Sequence, residues 1–382
     1  MGLPWPARLA SGLGIVAAVV VVAAGVLVAP SPRTSRATAG ALVGSHPVIG
    51  GVAFGDDLPA LSPAALDAAL DDVGRLHATW IRMDFSWADI EPAPTRYDWT
   101  ALDRVVAAAS RRGLHILATL GYTPAWARAP RCASTACPPA SPRVFVEYAT
   151  AVVGRYAARG VHTWEIWNEP NSAGFWAPEP DPRAYATLVV QTSARIHALD
   201  RSAVTMIGGL AATVTRPGEI DTRQFVRDLC RYGVPAVVDA LSYHPYTYPF
   251  PASYTGSATA WTKISDAPGS LGDILASCGA AGLPIWITEY GAPTRGSGPA
   301  AASDHGTGTD THVTEAWQAA LATDAVTTAE RTPSVAALFW YTARDSSDGD
   351  DVDGSYGLRR ADGTAKPAFD ALARALAAGS RS

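Results

Sequence analysis

Residues 142–171 read PRVFVEYATAVVGRYAARGVHTWEIWNEPN, and this stretch holds one full cycle of the pattern that decides the fold. Apolar residues recur at helical spacing from Pro142 to Ala158, a proline opens the segment and Gly160 follows it. The next run, Thr163–Asn168, is β-branched and aromatic and reads as a strand. Outward from here the same alternation recurs, and eight cycles follow Pro47. The predicted strands are Val48–Phe54, Thr79–Asp84, His115–Leu120, Thr163–Asn168, Val204–Gly209, Val237–Tyr243, Ile285–Glu289 and Ala336–Tyr341. The predicted helices are Pro63–Leu76, Ala101–Arg112, Pro142–Ala158, Pro182–Leu199, Thr222–Tyr232, Leu271–Ala281, Thr311–Glu330 and Pro367–Ala378. Eight strand-then-helix units match an α/β fold of the (β/α)8 TIM barrel type better than an open doubly wound sheet, which needs fewer strands. No Gly-x-Gly-x-x-Gly follows the first strand.

Composition agrees with one large folded unit. The chain has 382 residues, 48% of them hydrophobic and 17% charged, with a formal net charge of −5. That excludes a disordered chain and offers no basic field for nucleic acid. Leu9–Ala29 is the single stretch long and apolar enough to cross hydrocarbon, so residues 1–30 read as a signal peptide or an N-terminal membrane anchor. Ala37-Thr38-Ala39 suits cleavage, whereas the apolar length suits retention, and both readings stand. Arg33 and Arg36 outnumber Arg8, so the flanking charges do not favour export. Residues 31–45 read as a linker and 46–382 as the barrel domain. Membrane contact is expected only through the N-terminal segment, and the barrel is expected to be exported, either secreted or held at the outer face of the cytoplasmic membrane.

Four cysteines in an exported chain, with no paired CxxC pattern, predict disulfides. Cys132 and Cys137 share a loop, while Cys230 and Cys278 lie near the ends of helices five and six, which are neighbours in a sequential barrel. Cys132–Cys137 and Cys230–Cys278 is therefore the expected pairing.

In a barrel of this kind, chemistry belongs at the C-terminal ends of the strands. The fourth strand ends in Trp164-Glu165-Ile166-Trp167-Asn168-Glu169-Pro170-Asn171, and the seventh in Ile287-Thr288-Glu289-Tyr290-Gly291. Each places a glutamate at the rim. Two carboxyl groups on opposed strands can flank an anomeric carbon, one protonating the leaving oxygen and one attacking from the other side. Period-two alternation puts Glu165, Trp167 and Glu169 on one face, with Glu165 pointing into the barrel as a buried structural carboxylate.

WEIWNEPN and ITEYG resemble the signatures of the retaining clan A glycoside hydrolases. The chain is most similar to family 39 and the cellulase-like family 5, through Gly121-Tyr122-Thr123-Pro124-Ala125-Trp126, Ser242-Tyr243-His244-Pro245-Tyr246, Tyr356-Gly357-Leu358 and Lys366-Pro367-Ala368. The resemblance implies a retaining β-glycosidase acting on a β-linked glycan without a cofactor. In it Glu169 is the acid/base, Glu289 the nucleophile and Asn168 the partner of the sugar 2-hydroxyl. Arg82 resembles the strand-two arginine that keeps the nucleophile ionised; its alternative is a barrel salt bridge with Asp84 or Glu165. His244 and Tyr246 resemble a His-x-Tyr pair that orients the nucleophile and its bonded groups.

Among twelve tryptophans, Trp340 near the end of strand eight and Trp126 after strand three are the expected sugar-stacking platforms. Trp80, Trp164 and Trp286 are expected in the core. The acidic run from Asp345 to Gly354 lacks the ligand register of an EF-hand, so no metal site is expected there and the run reads as a solvated loop. Two other activities fit the same groove, transglycosylation and non-catalytic carbohydrate binding, but binding alone does not require both Glu169 and Glu289. Metal-assisted hydrolysis lacks a ligand cluster.

Overall fold

A computed structural model describes residues 46–265, 268–305 and 309–379. The segment 1–30 and the linker 31–45 lie outside the described residues. Eight parallel strands close into a barrel: β1 (Ile49–Ala53), β2 (Trp80–Ser86), β3 (His115–Gly121), β4 (Thr163–Asn168), β5 (Val204–Ala211), β6 (Ala240–His244), β7 (Ile285–Tyr290) and β8 (Val335–Tyr341). Each strand pairs with its neighbours in sequence, and β8 closes onto β1 with Val52 opposite Trp340. The helices that follow are α1 (Pro63–Arg75), α2 (Thr100–Arg111), α3 (Pro142–Tyr156), α4 (Pro182–Leu199), α5 (Thr222–Arg231), α6 (Leu271–Ser277), α7 (Glu315–Arg331) and α8 (Pro367–Gly379). The expected (β/α)8 barrel is the observed one. Among the described residues no helix is long and apolar enough to cross a membrane.

Three boundaries differ from expectation by three residues or more, each for a local reason. Helix α6 stops at Ser277, not Ala281, because Gly279 and Gly282 adopt φ of 79° and 81°, which ends the right-handed turn. Strand β6 starts at Ala240, not Val237, because Val234–Ala236 forms a 3₁₀ turn. Helix α7 starts at Glu315, not Thr311, where the Thr314 side chain accepts from Trp317 N at 3.2 Å. The residues before it, His312–Val313, pair with Ala300–Ala301 instead.

Period-two alternation sorts the strand residues into two cores. Ile81, Phe85, Ile166, Ile207, Leu241, Ile287 and Leu338 face outward and pack beneath the helices against residues such as Val105, Val152, Val189 and Val326. Leu117, Met206, Ala240, Trp286, Ala337 and Phe339 form an apolar floor inside the barrel. Gly51 belongs to this floor for steric reasons: a Cβ there would lie 2.3 Å from the Phe339 ring.

Two residues further along the same strands the interior turns polar, as Leu117 gives way to Thr119, Trp286 to Thr288 and Ala240 to Ser242 and His244. This polar layer closes around Glu165, which is fully buried. Its Oε2 accepts from Arg82 Nε at 2.7 Å and Thr119 Oγ1 at 2.8 Å, and its Oε1 accepts from Thr288 Oγ1 at 3.0 Å. Glu165 is thus the structural carboxylate its position on the strand predicted, tying β4 to β2, β3 and β7.

Both expected disulfides are present, Cys132–Cys137 and Cys230–Cys278, with Cα separations of 6.0 and 5.7 Å. They should differ in weight. Loop-closure entropy assigns ~4 kcal/mol to the bridge spanning 48 positions and ~2 kcal/mol to the one spanning five. Chemical denaturation of the Cys230→Ser/Cys278→Ser variant should therefore show the larger loss; an equal or smaller loss than for Cys132→Ser/Cys137→Ser would contradict this. Glu165→Gln removes one partner from a buried ion pair and should lower unfolding free energy by about 3 kcal/mol, measured by the same titration.

Candidate active site

Arg82 fixes the geometry at the C-terminal mouth. It is 1% exposed, so each of its nitrogens needs an acceptor within the protein. Nε goes to Glu165, Nη1 donates to Glu289 Oε1 at 2.6 Å and Nη2 donates to Asn168 Oδ1 at 2.8 Å. Burial alone would lower its pKa, but the charges of Glu165, Glu289 and Asp84 more than reverse that, so the guanidinium stays charged. The strand-two arginine therefore joins both readings made of it: it forms a salt bridge inside the barrel and also holds the strand-seven carboxylate.

The end of β4 is irregular, and the irregularity brings the motif together. Trp167 and Glu169 have φ of 75° and 41°, left-handed values that are uncommon for residues with side chains. Strict alternation, which predicted Trp167 on the inner face with Glu165 and Glu169, fails at this point. Trp167 turns outward, packs against Phe145 and Trp176, and donates from Nε1 to Phe175 O at 2.7 Å. Asn168 and Glu169 then both line the cavity. Strand β5 makes room with Gly208 and Gly209: a Cβ at Gly208 would lie 2.3 Å from Trp167 O, and one at Gly209 would lie 2.0 Å from His244 Nε2. Gly209 O receives Glu169 N at 2.8 Å, which pins the bend.

Glu289, at the end of β7, accepts from Arg82 at one oxygen and from the Tyr246 hydroxyl at the other, the latter at 2.8 Å. Burial pushes its pKa upward, yet the positive charges of His244 and Arg82 and the bonds from Tyr246 and Arg82 hold it below the usual glutamate value. His244 is fully buried and stands between the two glutamates. Its Nδ1 is 2.9 Å from Glu169 Oε1 and 3.6 Å from Glu289 Oε2. Its Nε2 is 3.0 Å from Thr288 Oγ1, whose hydrogen goes to Glu165, so Nε2 must carry a proton that it donates to the threonine. The short contact between Nδ1 and Glu169 then requires one more proton, held between the ring and the carboxyl group. Burial opposes charge on His244, but Glu289 and Glu169 raise its pKa overall. Its hydrogen bond thus goes to Glu169, with Glu289 within 3.6 Å, while Tyr246 bonds Glu289.

A cavity of about 390 Å³ opens above this network, within the size of small-molecule pockets. Arg82, Asn168, Glu169 and Glu289 line it, while Trp340 and Trp126 do not. Trp340 faces outward on β8, packs edge-on to Tyr290 and donates from Nε1 to Tyr356 O. Phe339 and Tyr341 have the inward phase, and Tyr341 is the strand-eight aromatic in the cavity. Counting by twos from the apolar floor would have picked it. Trp126 sits edge-on to Trp87 and donates to Glu91 O at 2.9 Å, in a cluster behind the cavity wall. Asp84, Tyr122 and Phe175 also line the cavity. Asp84 shares a face with Arg82 and was legible by alternation. Tyr122 was not, since its φ of 67° lies outside any strand pattern. In the acidic run, Asp348, Asp350, Asp351 and Asp353 are exposed as expected. Asp345 is not: it is buried against Lys366 Nζ at 2.7 Å, where it anchors the loop instead of meeting solvent.

Comparison with known proteins follows the same lines. A search of curated protein sequences returned no match. Among solved structures, the chain is similar to a family 39 glycoside hydrolase from Bacteroides cellulosilyticus WH2, with 23% identity, a TM-score of 0.64, and coverage of 87% of this chain but 64% of that one. A GH39 β-xylosidase from Caulobacter crescentus shares 22% identity at a TM-score of 0.60, covering 86% and 72%. A GH5 subfamily 18 protein from Streptomyces cattleya, solved in complex with GlcNAc, shares 17% at 0.63, covering 88% and 81%. These likenesses establish a common fold. The family model described as cellulase, glycosyl hydrolase family 5, matches residues 53–341, from the last residue of β1 to the last of β8. With about three quarters of its length matched, the chain belongs to glycosyl hydrolase family 5.

Proposed function

We propose that this protein hydrolyses a β-configured O-glycosidic bond of an oligo- or polysaccharide with net retention, Glu169 serving as acid/base and Glu289 as nucleophile. The observation that carries the reading is the nitrogen the two carboxylates share. Contacts of 2.9 and 3.6 Å from His244 Nδ1 place Glu169 Oε1 and Glu289 Oε2 no further apart than the lower edge of the ~6.5–9.5 Å that inverting enzymes leave for a water. At that spacing the ionised Glu289 reaches the anomeric carbon itself. Its lone pair forms the glycosyl–enzyme bond while the leaving oxygen takes the proton held at Glu169. Glu169 then removes a proton from water, which displaces Glu289.

The supporting residues follow from donor and acceptor chemistry. Arg82 only donates, so Asn168 must turn its oxygen to it, which directs the amide NH₂ toward a sugar hydroxyl. Tyr341 offers an aromatic face on the strand-eight side. The two disulfides and the apolar stretch Leu9–Ala29 support an exported barrel, secreted or anchored, with residues 1–30 as leader or anchor and 31–45 as linker.

Glu289→Ala should form no covalent adduct with a slow, activated fluorosugar by intact mass spectrometry. Glu169→Ala should still be labelled, and should lose at least about a hundredfold more rate on poor leaving groups than on activated ones. Proton NMR should show the β-anomer first; the α-anomer appearing first would refute double displacement. A pH profile gives a separate check. Glu289 must be ionised, so kcat/KM is full above its pKa and falls as pH drops through it, and the wild-type acid limb should lie below the ordinary glutamate pKa of about 4.3. Tyr246→Phe removes a bond to the charged form and should move that limb up by about one pH unit.

A further inference from the structure

The cavity extends from the paired glutamates to one side of the barrel. Its lining on that side comes from the ends of β1, β2 and β3, and none of the lining residues belongs to β5 or β6. The charges there have one sign. Asp84 lies two residues beyond Arg82 on the inner face of β2 and is 7% exposed, with the Tyr122 hydroxyl as its hydrogen-bond partner. Asp56, after β1, and Asp89, after β2, stand on the exposed rim of the same cavity. Arg82, the one cation among the lining residues, is buried and already donates to Glu165, Glu289 and Asn168. Three of its five N–H donors are committed in this way, and at 1% exposure it presents almost no surface to an anionic ligand.

We infer that this arm of the cavity is a charge-selecting sugar subsite that admits neutral and amine-bearing glycones and rejects uronic acids, with Asp84 as the deciding residue and Asp56 and Asp89 reinforcing it at the rim. The inference deepens the proposed function and rests on it for the bond that is cut. A carboxylate accepts hydrogen bonds from sugar hydroxyls or an ammonium group, but a uronate brings a second acceptor of like charge and no proton. Two such charges ~6 Å apart at an effective dielectric of ~20 repel strongly enough to weaken binding about a hundredfold. Rim charges in open solvent count for less because salt screens them.

The state of Asp84 agrees with a site short of positive charge. Burial lifts its pKa to about 7; Arg82 and Tyr122 pull it down, while Asp56 and Glu289 add to the rise. These four groups, from β2, the loop after β3, the loop after β1, and β7, act on it most strongly, and Tyr148 on α3 and Tyr341 on β8 also face it. Asp84 gains its charge as pH rises through about 7, so discrimination against a uronate should widen over that range.

The test compares aryl β-glycosides that differ only at C6, glucoside with glucuronide and galactoside with galacturonide, by kcat/KM on the intact protein. The corresponding free sugars are compared by saturation-transfer NMR, which needs no turnover. The neutral member should lead by about a hundredfold at pH 8 and by less at pH 6. Asp84→Asn should narrow that ratio at least tenfold and flatten its pH dependence, and the rim variant Asp56→Asn, outside the core, should narrow it about threefold. Uronides processed or bound within threefold of the neutral sugars would overturn the inference and leave the glycosidase reading intact, as would a ratio that neither variant changes. Selective binding of neutral sugars without hydrolysis of any pair would do the opposite, sustaining the subsite and sinking the proposed reaction.

Discussion

One guanidinium set among three acceptors is the constraint around which the mouth of this barrel is arranged. A buried arginine cannot lose its proton and cannot leave its donors unpaired without a cost of several kcal/mol. Arg82 meets that demand by reaching two other strands from its own place on β2: Glu165 and Asn168 on β4 and Glu289 on β7. Glu165 has no room for a ligand because Thr119 and Thr288 take its remaining positions. It therefore acts as a counter-charge that keeps Arg82 in place, and Glu289, 15% exposed at its side chain, is the carboxylate left facing the cavity. The division of labour between two glutamates on the same arginine follows from depth: one lies below the rim and is saturated, the other lies at it and has an open side.

Two carboxylates share one arginine, and His244 stands beside them with its pKa raised by the glutamates it faces. Thr288 links the two systems, accepting from the ring and donating to Glu165. The ring thereby takes a fixed tautomer at Nε2, and its Nδ1 is turned to the Glu169–Glu289 gap. The glycines of β5 belong to the same construction. Gly209 has no side chain because His244 occupies that volume, and Gly208 has none because the bent backbone of β4 does. Residues that do not line the cavity thus set the positions of those that do.

Much of this was legible in the sequence, for a physical reason. Strands and helices in a barrel follow two simple periods, so eight alternations determine the fold and the strand ends determine where to look for chemistry. Glu165, Glu169, Glu289, Arg82 and both disulfides fell where those periods placed them. What was missed lay where the periods break or were read out of phase. Trp167 was assigned to the inner face because no sequence signal marks a left-handed φ at a tryptophan. Trp340 is expected in the site from its place near the end of strand eight, whereas the floor residues Ala337 and Phe339 give the inward phase of β8 to Tyr341. Phe175 and Tyr122 come from loops, whose conformation is set by tertiary packing that no local pattern records.

The asymmetry of the cavity links that packing to chemistry. On the β5–β6 side the space is filled by His244, and on the β1–β3 side it is open and edged by carboxylates. Positive charge is therefore concentrated beside Glu289, where Arg82 and His244 hold its pKa down, and is scarce near Asp84, whose pKa rises to about 7. The same arginine touches both fields, yet its guanidinium is aimed at the first. Moving that guanidinium toward Asp84 would favour the ionised form of Asp84, but it would also withdraw a charge that holds the Glu289 pKa down. An acidic, cation-poor arm of the cavity is thus the structural counterpart of a charge-stabilised Glu289, because one buried arginine cannot neutralise both Glu289 and Asp84.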